Sequence, residues 1–350
     1  MLRRPTQTHF IAGPLAAIGY NLCYKPFAMK TIKLIITFFF LATILNGQTD
    51  SLIVFEAKWK KGETRLFNID KVFTQNRNGK DTIKRISNYN IKIKVIKKSK
   101  NGFTLEMQSQ NPAFSNFKIP AEFLSVFSKY KDLKIIYKTN SNGRFEEIVN
   151  WKEIKDVMME LLDKLPPMFA NKSVDVTQSV KNLKDLFGSK EAINAIFFKE
   201  IGLLHYPMGN SFNIYDTVNY SAELPTIFEG QTISGDGKFY FQNVDKKNGV
   251  CDFVNMVNLD SLTSKEFITD FIKKLASGIR FQDTVKMKSR YEQINKELSN
   301  FTLEVIDKRF FKYKYLEGWP IEIQSTRTSK VCTNNESAIT TDSIIIKEIL

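Results

Sequence analysis

Four Asn-Gly dipeptides constrain the fold of this 350-residue chain more than any other feature. Asparagine and glycine both tolerate positive φ, so Asn-Gly between alternating runs is a strong signal for a β-hairpin. The spacing predicts antiparallel strands joined by short turns and argues against parallel βαβ units. The dipeptides are Asn78-Gly79, Asn101-Gly102, Asn142-Gly143 and Asn248-Gly249.

The segments beside these turns alternate in the way that β-strands do. Residues 91–95 and 103–107 place apolar side chains on one face at a period of two. Similar runs cover 212–221, 231–244, 250–258, 301–316 and 321–329. The pattern predicts two β regions that flank a helical segment at about 150–205.

Helical periodicity predicts three helices in that middle segment and a fourth beyond it. Asn150 with Glu153 three residues later has the form of a capping box. A second helix is predicted over 177–187, and Ser189 is the predicted cap of a third. Thr263 to Glu266 form another capping box, which predicts the fourth helix.

These elements favour the α+β class: a long curved antiparallel sheet, or sheets, packed against several helices. No Pro-, Ser- or Gly-rich linker separates the two β regions. We therefore expect a single domain over residues 48–350.

An export signal is predicted near the N-terminus. Residues 29–33 are a short basic segment, residues 34–45 are apolar, and Gly47 stands at the expected cleavage position. Residues 1–28 then form an upstream segment, read either as a start codon assigned too early or as a long basic region. The cleavage position carries Gln48 and no cysteine, so no lipid anchor is expected. The expected location is the periplasm, the outer-membrane surface or the extracellular medium.

The chain is basic, with 51 Lys and Arg against 37 Asp and Glu. One reading of this excess is attraction to an anionic envelope surface, and the other is a solvated sheet face with lysines that protect an edge. No nucleic-acid-binding motif is present, so nucleic acid is not an expected partner. The lysines of the predicted anionic-surface patch are Lys92, Lys94, Lys97 and Lys98.

Cysteine and histidine are scarce in the predicted mature chain. Cys251 and Cys332 remain after cleavage, and either a disulfide between them or two separate buried thiols fits an exported protein. His205 is the remaining histidine, and it is read as a general base or as a helix-end residue. A lone histidine cannot form a multi-histidine zinc site, and no Gly-x-Ser-x-Gly motif occurs. No catalytic residue, metal or cofactor is therefore predicted.

Several segments resemble a family of uncharacterised exported Gram-negative proteins, the DUF6263 domains of unknown function. The resemblance covers most of residues 50–330, and it implies export but supplies no activity. A curved sheet over helices is also similar in architecture to the periplasmic lipoprotein-carrier fold, although a fold does not imply a function. The segments that carry the family resemblance are Lys58–Thr64, Lys92–Leu105, Tyr137–Trp151 and Leu316–Ile323.

The function expected first is non-enzymatic binding of a lipid or another apolar or amphipathic ligand between the sheet and the helices. An envelope protein–protein interaction module without a cavity and a hydrolase of envelope material are the alternatives, and a monomer is favoured. Aromatic residues on the strands are the predicted ligand contacts, with ordinary core packing as the alternative reading. They are Phe239, Phe241, Phe311, Tyr313 and Tyr315.

Overall fold

The structure is a computed structural model that describes residues 51–109, 133–166, 174–225, 231–276, 280–281, 289, 292, 296, 300–333 and 336–349. The predicted leader at 29–47 and the upstream segment 1–28 lie outside the described residues. Ser51–Leu350 form one compact unit.

The described strands are numbered in chain order. They are β1 (Leu52–Val54), β2 (Thr64–Arg77), β3 (Lys80–Ser99), β4 (Gly102–Ser109), β5 (Lys134–Asn140), β6 (Phe145–Ile148), β7 (Val174–Asp175), β8 (Ser211–Asn213), β9 (Val218–Pro225), β10 (Thr232–Asp245), β11 (Val250–Leu259), β12 (Arg280–Phe281), β13 (Thr302–Lys314), β14 (Trp319–Cys332) and β15 (Ser337–Ile349). The helices are α1 (Trp151–Asp163), α2 (Thr177–Phe187), α3 (Lys190–Leu204) and α4 (Ser261–Ala276).

Eleven of these strands form one antiparallel sheet in the order β6-β5-β4-β3-β2-β15-β14-β13-β11-β10-β9. This order consists of two meanders. The first runs from β2 to β6, and the second is formed by β9, β10, β11, β13, β14 and β15. They join where the C-terminal strand β15 pairs with the N-terminal strand β2, with Ile346 opposite Ile69. The described strands of the sheet end at β6 and β9, so the sheet is open and its fold is β-rich with helices.

All four Asn-Gly predictions are confirmed, because each dipeptide connects two paired antiparallel strands. The turn between β2 and β3 is the tightest of them, with Arg77 opposite Lys80. Its two central residues, Asn78 and Gly79, have φ angles of 51° and 81°. Two successive positive φ angles are what a two-residue type I′ turn requires.

The helix α2 matches its prediction, and so does the cap of α3, where Ser189 Oγ accepts a hydrogen bond from the Ala192 amide at 3.0 Å. The predicted side-chain cap at Asn150 is wrong. Its Oδ1 accepts from the Ile136 amide at 2.9 Å, and its Nδ2 donates to the Lys134 carbonyl at 2.7 Å. Asn150 therefore ties the start of α1 to strand β5.

The capping box predicted at Thr263 is also displaced. Helix α4 begins at Ser261, three residues before the start that a cap at Thr263 implies, and the Asp260 carboxylate accepts from the Thr263 amide at 2.8 Å. A carboxylate near a helix N-terminus interacts favourably with the positive end of the helix dipole. Asp260 thus takes the position that Thr263 was expected to hold.

The helices pack against one face of the sheet, which we call the helix-side face. Helix α3 contacts β6 and β14, and α4 contacts β10 and β13. The main core lies on this face, and a smaller cluster of Phe301, Leu303 and Val305 packs against α4. Fully buried side chains of the main core include Phe55, Trp59, Phe67, Ile69, Ile93, Leu105, Tyr137, Phe239, Phe253, Phe311, Tyr313 and Trp319.

The opposite face, which we call the outer face, is largely polar between β2 and β3. Asn68 Nδ2 donates to Asn90 Oδ1 at 2.8 Å, and Asn88 Nδ2 donates to Asp70 Oδ1 at 2.5 Å. Such cross-strand pairs keep a solvated face of an antiparallel sheet ordered.

Candidate functional site

The aromatic residues predicted as ligand contacts come together on neighbouring strands of the helix-side face. Phe253 on β11 lies between them, with its ring centroid 5.0 Å from that of Phe239 and 4.7 Å from that of Phe311. Phe241 packs beside the same rings, and Tyr313 donates from its hydroxyl to the Leu204 carbonyl at 3.1 Å. Four predicted residues therefore share one aromatic cluster.

Other rings cover this cluster. Phe212 stacks on Phe239 at 4.1 Å, and Phe55 lies 5.6 Å from Tyr313. Phe239, Phe311 and Tyr313 are almost completely buried, whereas Phe241 and Tyr315 are half-buried. The aromatic cluster is packed core in this conformation, and its role as a ligand surface stays a prediction.

His205 lies in a second closed cluster at the end of α3. Its Nε2 is 2.9 Å from the Tyr137 hydroxyl, and its ring is 5.4 Å from Trp59. The side chain is 3% exposed, and burial lowers its pKa to about 3. The imidazole is therefore neutral near pH 7 and closed off from solvent, which fits a structural helix-end residue better than a general base.

The four segments that carry the family resemblance meet around His205. Trp59 Nε1 donates to the Gly318 carbonyl at 3.1 Å, and Trp319 Nε1 donates to Glu63 Oε1 at 2.9 Å. The Gly62 amide donates to the Val95 carbonyl at 2.8 Å. A Cβ at Gly143 would stand 3.1 Å from the Trp59 ring, so this turn needs glycine for contact as well as for its positive φ. These segments build one end of the sheet.

Arg65 closes the outside of this end. Its guanidinium donates to Glu63 at 3.1 Å and to Glu317 and Glu348 at 2.8 Å each. It also lies 5.9 Å from the Trp319 ring centroid. Burial lowers the pKa of Arg65, but its three carboxylate partners outweigh that effect and raise it. An open pocket beside Arg65 is lined by Lys58, Lys60, Glu63, Thr64, Arg65, Leu316 and Glu317.

The lysines of the predicted anionic-surface patch do not share one surface. Lys92, Lys94 and Lys97 lie on the outer face, opposite Gln108, Glu106 and Thr104, because a bulge after Val95 keeps Lys97 in the same phase. Lys98 turns away and donates to the Trp59 carbonyl at 2.9 Å. Lys98 therefore helps to hold the closed cluster, and attraction of the others to an anionic surface stays a prediction.

A band of charged side chains crosses the middle of the helix-side face, and the sequence reasoning missed it. Strand alternation contains the signal, because Asp307 and Arg309 fall in the apolar phase of β13 between Val305 and Phe311. Adjacent strands repeat this arrangement in register. We call it the charged band, and its members are Lys71, Arg85, Lys199, Glu200, Asp307, Arg309, Arg327 and Asp342.

Two arginines hold one carboxylate at the centre of the charged band. Arg327 Nε and Nη2 donate to Asp307 Oδ1 and Oδ2 at 2.6 and 2.7 Å, and Arg309 Nη2 donates to Oδ2 at 2.8 Å. Asp307 is 3% exposed. Burial raises the pKa of Asp307, but the two arginines outweigh it and hold the pKa below its usual range.

Helix α3 supplies the remaining pairs of the charged band. Lys199 pairs with Asp342, and Glu200 pairs with Lys71. The Tyr89 hydroxyl also donates to Glu200 at 3.2 Å. Burial and the negative charge of Glu200 raise the pKa of Tyr89 to about 12.

A chain of hydroxyl and amide groups continues from Arg309 toward the β9 edge. Arg309 lies 5.7 Å from the Tyr206 ring centroid, and the Tyr206 and Tyr220 hydroxyls are 3.2 Å apart. Asn255 Nδ2 donates to the Tyr220 hydroxyl. Asn255 is fully buried, and its Oδ1 has no hydrogen-bond partner among the described residues. Burial is the main cause that raises the pKa of Tyr206, and the neighbouring Tyr220 hydroxyl raises it further.

Cys251 and Cys332 are both free, so the disulfide considered from the sequence is absent from this fold. Cys251 is opposite Tyr313 on β13, whereas Cys332 is opposite Thr302 at the other end of that strand. At about 3.3 Å per residue, this places the two cysteines about 35 Å apart. A disulfide needs Cα atoms within about 7 Å.

Within the described residues, no group of three or more His, Cys, Asp or Glu side chains is arranged to hold a metal ion. In the same residues, no helix combines the length and apolar character that crossing a membrane requires.

Comparisons with known proteins identify no family. No family model matches the chain, and no curated protein matches it. A solved structure described as "lipid-protein interactions in lipovitellin" is similar with a TM-score of 0.37 and 8% sequence identity. The match covers 84% of this chain and 26% of that one, so the chain spans about a quarter of the length of the solved protein. A likeness at that TM-score carries no argument about this chain.

Proposed function

We propose that this protein is an exported, non-enzymatic binding protein for an amphipathic ligand held on the helix-side face of the sheet. The observation that carries the proposal is the division of this face into two kinds of surface. An aromatic and aliphatic core occupies one end, and the charged band crosses the middle of the same face. An amphipathic molecule needs both kinds of surface side by side.

The charge balance of the charged band favours ligand binding over a purely structural role. Five cationic side chains accompany three carboxylates, and of these Asp307 and Arg309 are largely buried whereas Arg85 is exposed. Charges removed from water are costly unless they are paired, and apolar residues of similar size often stabilise a core at least as well. The burial of Asp307 and Arg309 therefore has a reason if the face serves something other than packing.

The helix-side face is apolar again beyond the charged band. Leu303 and Val305 precede Asp307 on the same face of β13 and pack against Ile268 and Ile272 of α4, so a hydrocarbon chain reaches them by taking the place of α4 contacts. Phe311 stands on the other side of Arg309. A polar centre between two apolar surfaces is the complement of an amphipathic molecule.

Export belongs to the proposal, as does membership in the exported Gram-negative family that the sequence resembles. The four segments that carry the family resemblance contact one another around His205. This supports family membership, since the same packing would require similar residues in each of these segments. N-terminal sequencing of protein from the envelope fraction tests the first part. A mature chain beginning at Gln48 is expected, and a chain that keeps residues 29–47 would overturn cleavage at Gly47.

Native mass spectrometry of the protein purified from its own cells tests binding. We expect an adduct with the mass of an amphipathic molecule, which solvent extraction removes and which returns when the extracted protein meets cell-envelope lipid. The extracted protein serves as the matched control. If the purified protein shows no adduct and the extracted protein binds neither fatty acid, lysophospholipid nor monoacylglycerol, the proposal is wrong.

A further inference from the structure

We infer that Arg309 and Arg327 form the headgroup site for this amphipathic ligand, and that the site selects an anionic headgroup, either a carboxylate or a phosphate. This inference rests on the function proposed above, and it names the chemistry of the same face. Tyr206, Tyr220 and Asn255 supply the neutral polar groups on the Arg309 side of this site.

The first argument is charge. Two guanidiniums share the single carboxylate of Asp307, and Asp342, which is opposite Arg327, is paired with Lys199. One positive charge is therefore left over at this point. Each guanidinium has five N–H donors. The hydrogen bonds to Asp307 engage Nε and Nη2 of Arg327 and Nη2 of Arg309. Donors therefore remain for a second anion, and planar guanidinium groups match both carboxylate and phosphate oxygens.

The second argument is access. The Arg327 side chain is 42% exposed and that of Arg309 is 17% exposed, whereas the side chain of Asp307 between them is 4% exposed. The guanidiniums are therefore more accessible than the carboxylate that they bind. An incoming anion would thus meet cationic groups before it meets Asp307.

The third argument is an unsatisfied polar atom. Asn255 is directly opposite Arg309 in the β11–β13 register, and it is fully buried with its Oδ1 unpartnered among the described residues. Rotating the amide by 180° would pair the oxygen with the Tyr220 hydroxyl and leave an N–H donor instead. Buried polar groups nearly always have partners, so this amide indicates a group that is bound here.

The fourth argument is the surroundings. Phe311 stacks on the Tyr206 ring at 5.1 Å on one side of Arg309, and Val305 lies two residues beyond Asp307 on the other side. Both surfaces are buried in this conformation, so a hydrocarbon tail from a headgroup at Arg309 and Arg327 would insert among these side chains. The charged centre and the apolar flanks lie on the same face of β13.

Isothermal titration calorimetry with three amphiphiles of equal chain length tests the inference on the full chain. Oleate carries a carboxylate, oleoyl lysophosphatidylglycerol carries a phosphate, and monoolein is neutral. We expect at least one anion to bind about tenfold or more tightly than monoolein, which corresponds to one good charge-assisted hydrogen bond. The ratio of the two anion affinities then identifies the headgroup.

Variants separate a binding role from a structural one. Arg327→Gln should weaken the anions about tenfold and leave monoolein unchanged. Lys308→Gln removes the same charge from the outer face of the same strand, and it should change neither. Asp307→Asn removes the competing carboxylate and should tighten anion binding. If the charged residues had only a structural role, this variant would bind anions no more tightly than wild type.

Tyr220→Phe keeps every charge in place and should weaken binding of the preferred anion about threefold to tenfold.

Circular dichroism and thermal unfolding establish that each variant is folded. Equal binding of monoolein and both anions would overturn this inference and leave the proposed function standing. Binding of none of the three would overturn both. Unchanged oleate and lysophosphatidylglycerol affinities in folded Arg327→Gln and Tyr220→Phe would also overturn the headgroup site.

Discussion

The indole rings of Trp59 and Trp319 lie 4.7 Å apart, although the two residues come from opposite ends of the described chain. The Trp59 indole donates to the Gly318 carbonyl, and the Trp319 indole donates to Glu63, so each tryptophan is hydrogen-bonded to a residue close in sequence to the other. Both indoles are almost completely buried. This reciprocal contact locks β14 to the segment that precedes β2.

Trp59→Phe should lower the free energy of unfolding by about 0.5–1.5 kcal/mol, because the Gly318 carbonyl loses its indole donor and keeps only the longer hydrogen bond from the Tyr313 hydroxyl at 3.3 Å. Trp59→Ala should cost about 3–5 kcal/mol through the cavity that it leaves. Urea unfolding followed by circular dichroism measures both changes. Trp151→Phe at the half-buried start of α1 is the matched control and should cost less than either. Equal losses for Trp59→Phe and Trp151→Phe would contradict the locking role.

Stability should depend on pH through His205. Its folded pKa of about 3 lies below the unfolded value of about 6.5, so between these values the unfolded chain binds a proton that the folded chain does not. The free energy of unfolding should therefore fall as pH decreases below 6.5, by up to about 1.4 kcal/mol per pH unit. This contribution is fully present above pH 6.5.

Urea midpoints between pH 7 and pH 5 measure this slope before most carboxylates titrate. His205→Gln should flatten the curve, since glutamine can still meet the Tyr137 hydroxyl but cannot bind a proton. His9 lies in the segment that the predicted cleavage removes, so the mature chain holds no other histidine and any slope that His205→Gln abolishes belongs to His205. An identical slope in wild type and His205→Gln would contradict the buried, neutral imidazole.

Asn150 should stabilise the fold by joining β5 to α1. Asn150→Ala removes the hydrogen bonds with Ile136 and Lys134 and should cost about 1–3 kcal/mol. Asn150→Ser discriminates between the two roles, because serine is as good an N-cap as asparagine but is too short to reach β5. We expect the serine variant to lose nearly as much as the alanine variant in urea unfolding. A neutral Asn150→Ser would restore the capping interpretation.

The two cysteines should differ in reactivity. Cys251 is fully buried, and burial raises the pKa of its thiol, so thiolate is scarce and access is blocked. Cys332 is half-buried near the end of β14. Alkylation of the native protein, mapped by peptide mass spectrometry, should modify Cys332 and spare Cys251. After unfolding without reductant, both should react. A Cys251–Cys332 disulfide peptide would contradict the strand register.

Local features of the sequence predicted the turns and two of the middle helices well. An Asn-Gly turn depends on φ preferences within two residues, and the Ser189 cap depends on a contact three residues away. Asn150 and Thr263 had the right composition for caps, but tertiary contacts changed the outcome. Asn150 found partners on β5, and Asp260 was the nearer acceptor for the Thr263 amide.

Less of the candidate site can be predicted from the sequence, because strand periodicity identifies the apolar members of a buried face and not the charged residues among them. Phe311 and Tyr313 were correctly placed on the inner phase of β13, and Asp307 and Arg309 share that phase. A charged residue in the apolar phase of a single strand does not by itself indicate a charged cluster. The cluster is evident only when Arg327 and Asp342 are found opposite Asp307 on the next two strands, and those pairings are known only from the strand register.

Neighbours a few residues apart account for where the chain turns, which side chains alternate along each strand, and where α2 and α3 form. The pairing of β15 with β2, the meeting of the tryptophans near His205, and the register of the charged band beneath α3 depend instead on contacts between distant parts of the chain. Such pairings close very long loops, so their entropic cost is repaid only when many contacts form together. No local pattern records which distant strand edge provides those contacts.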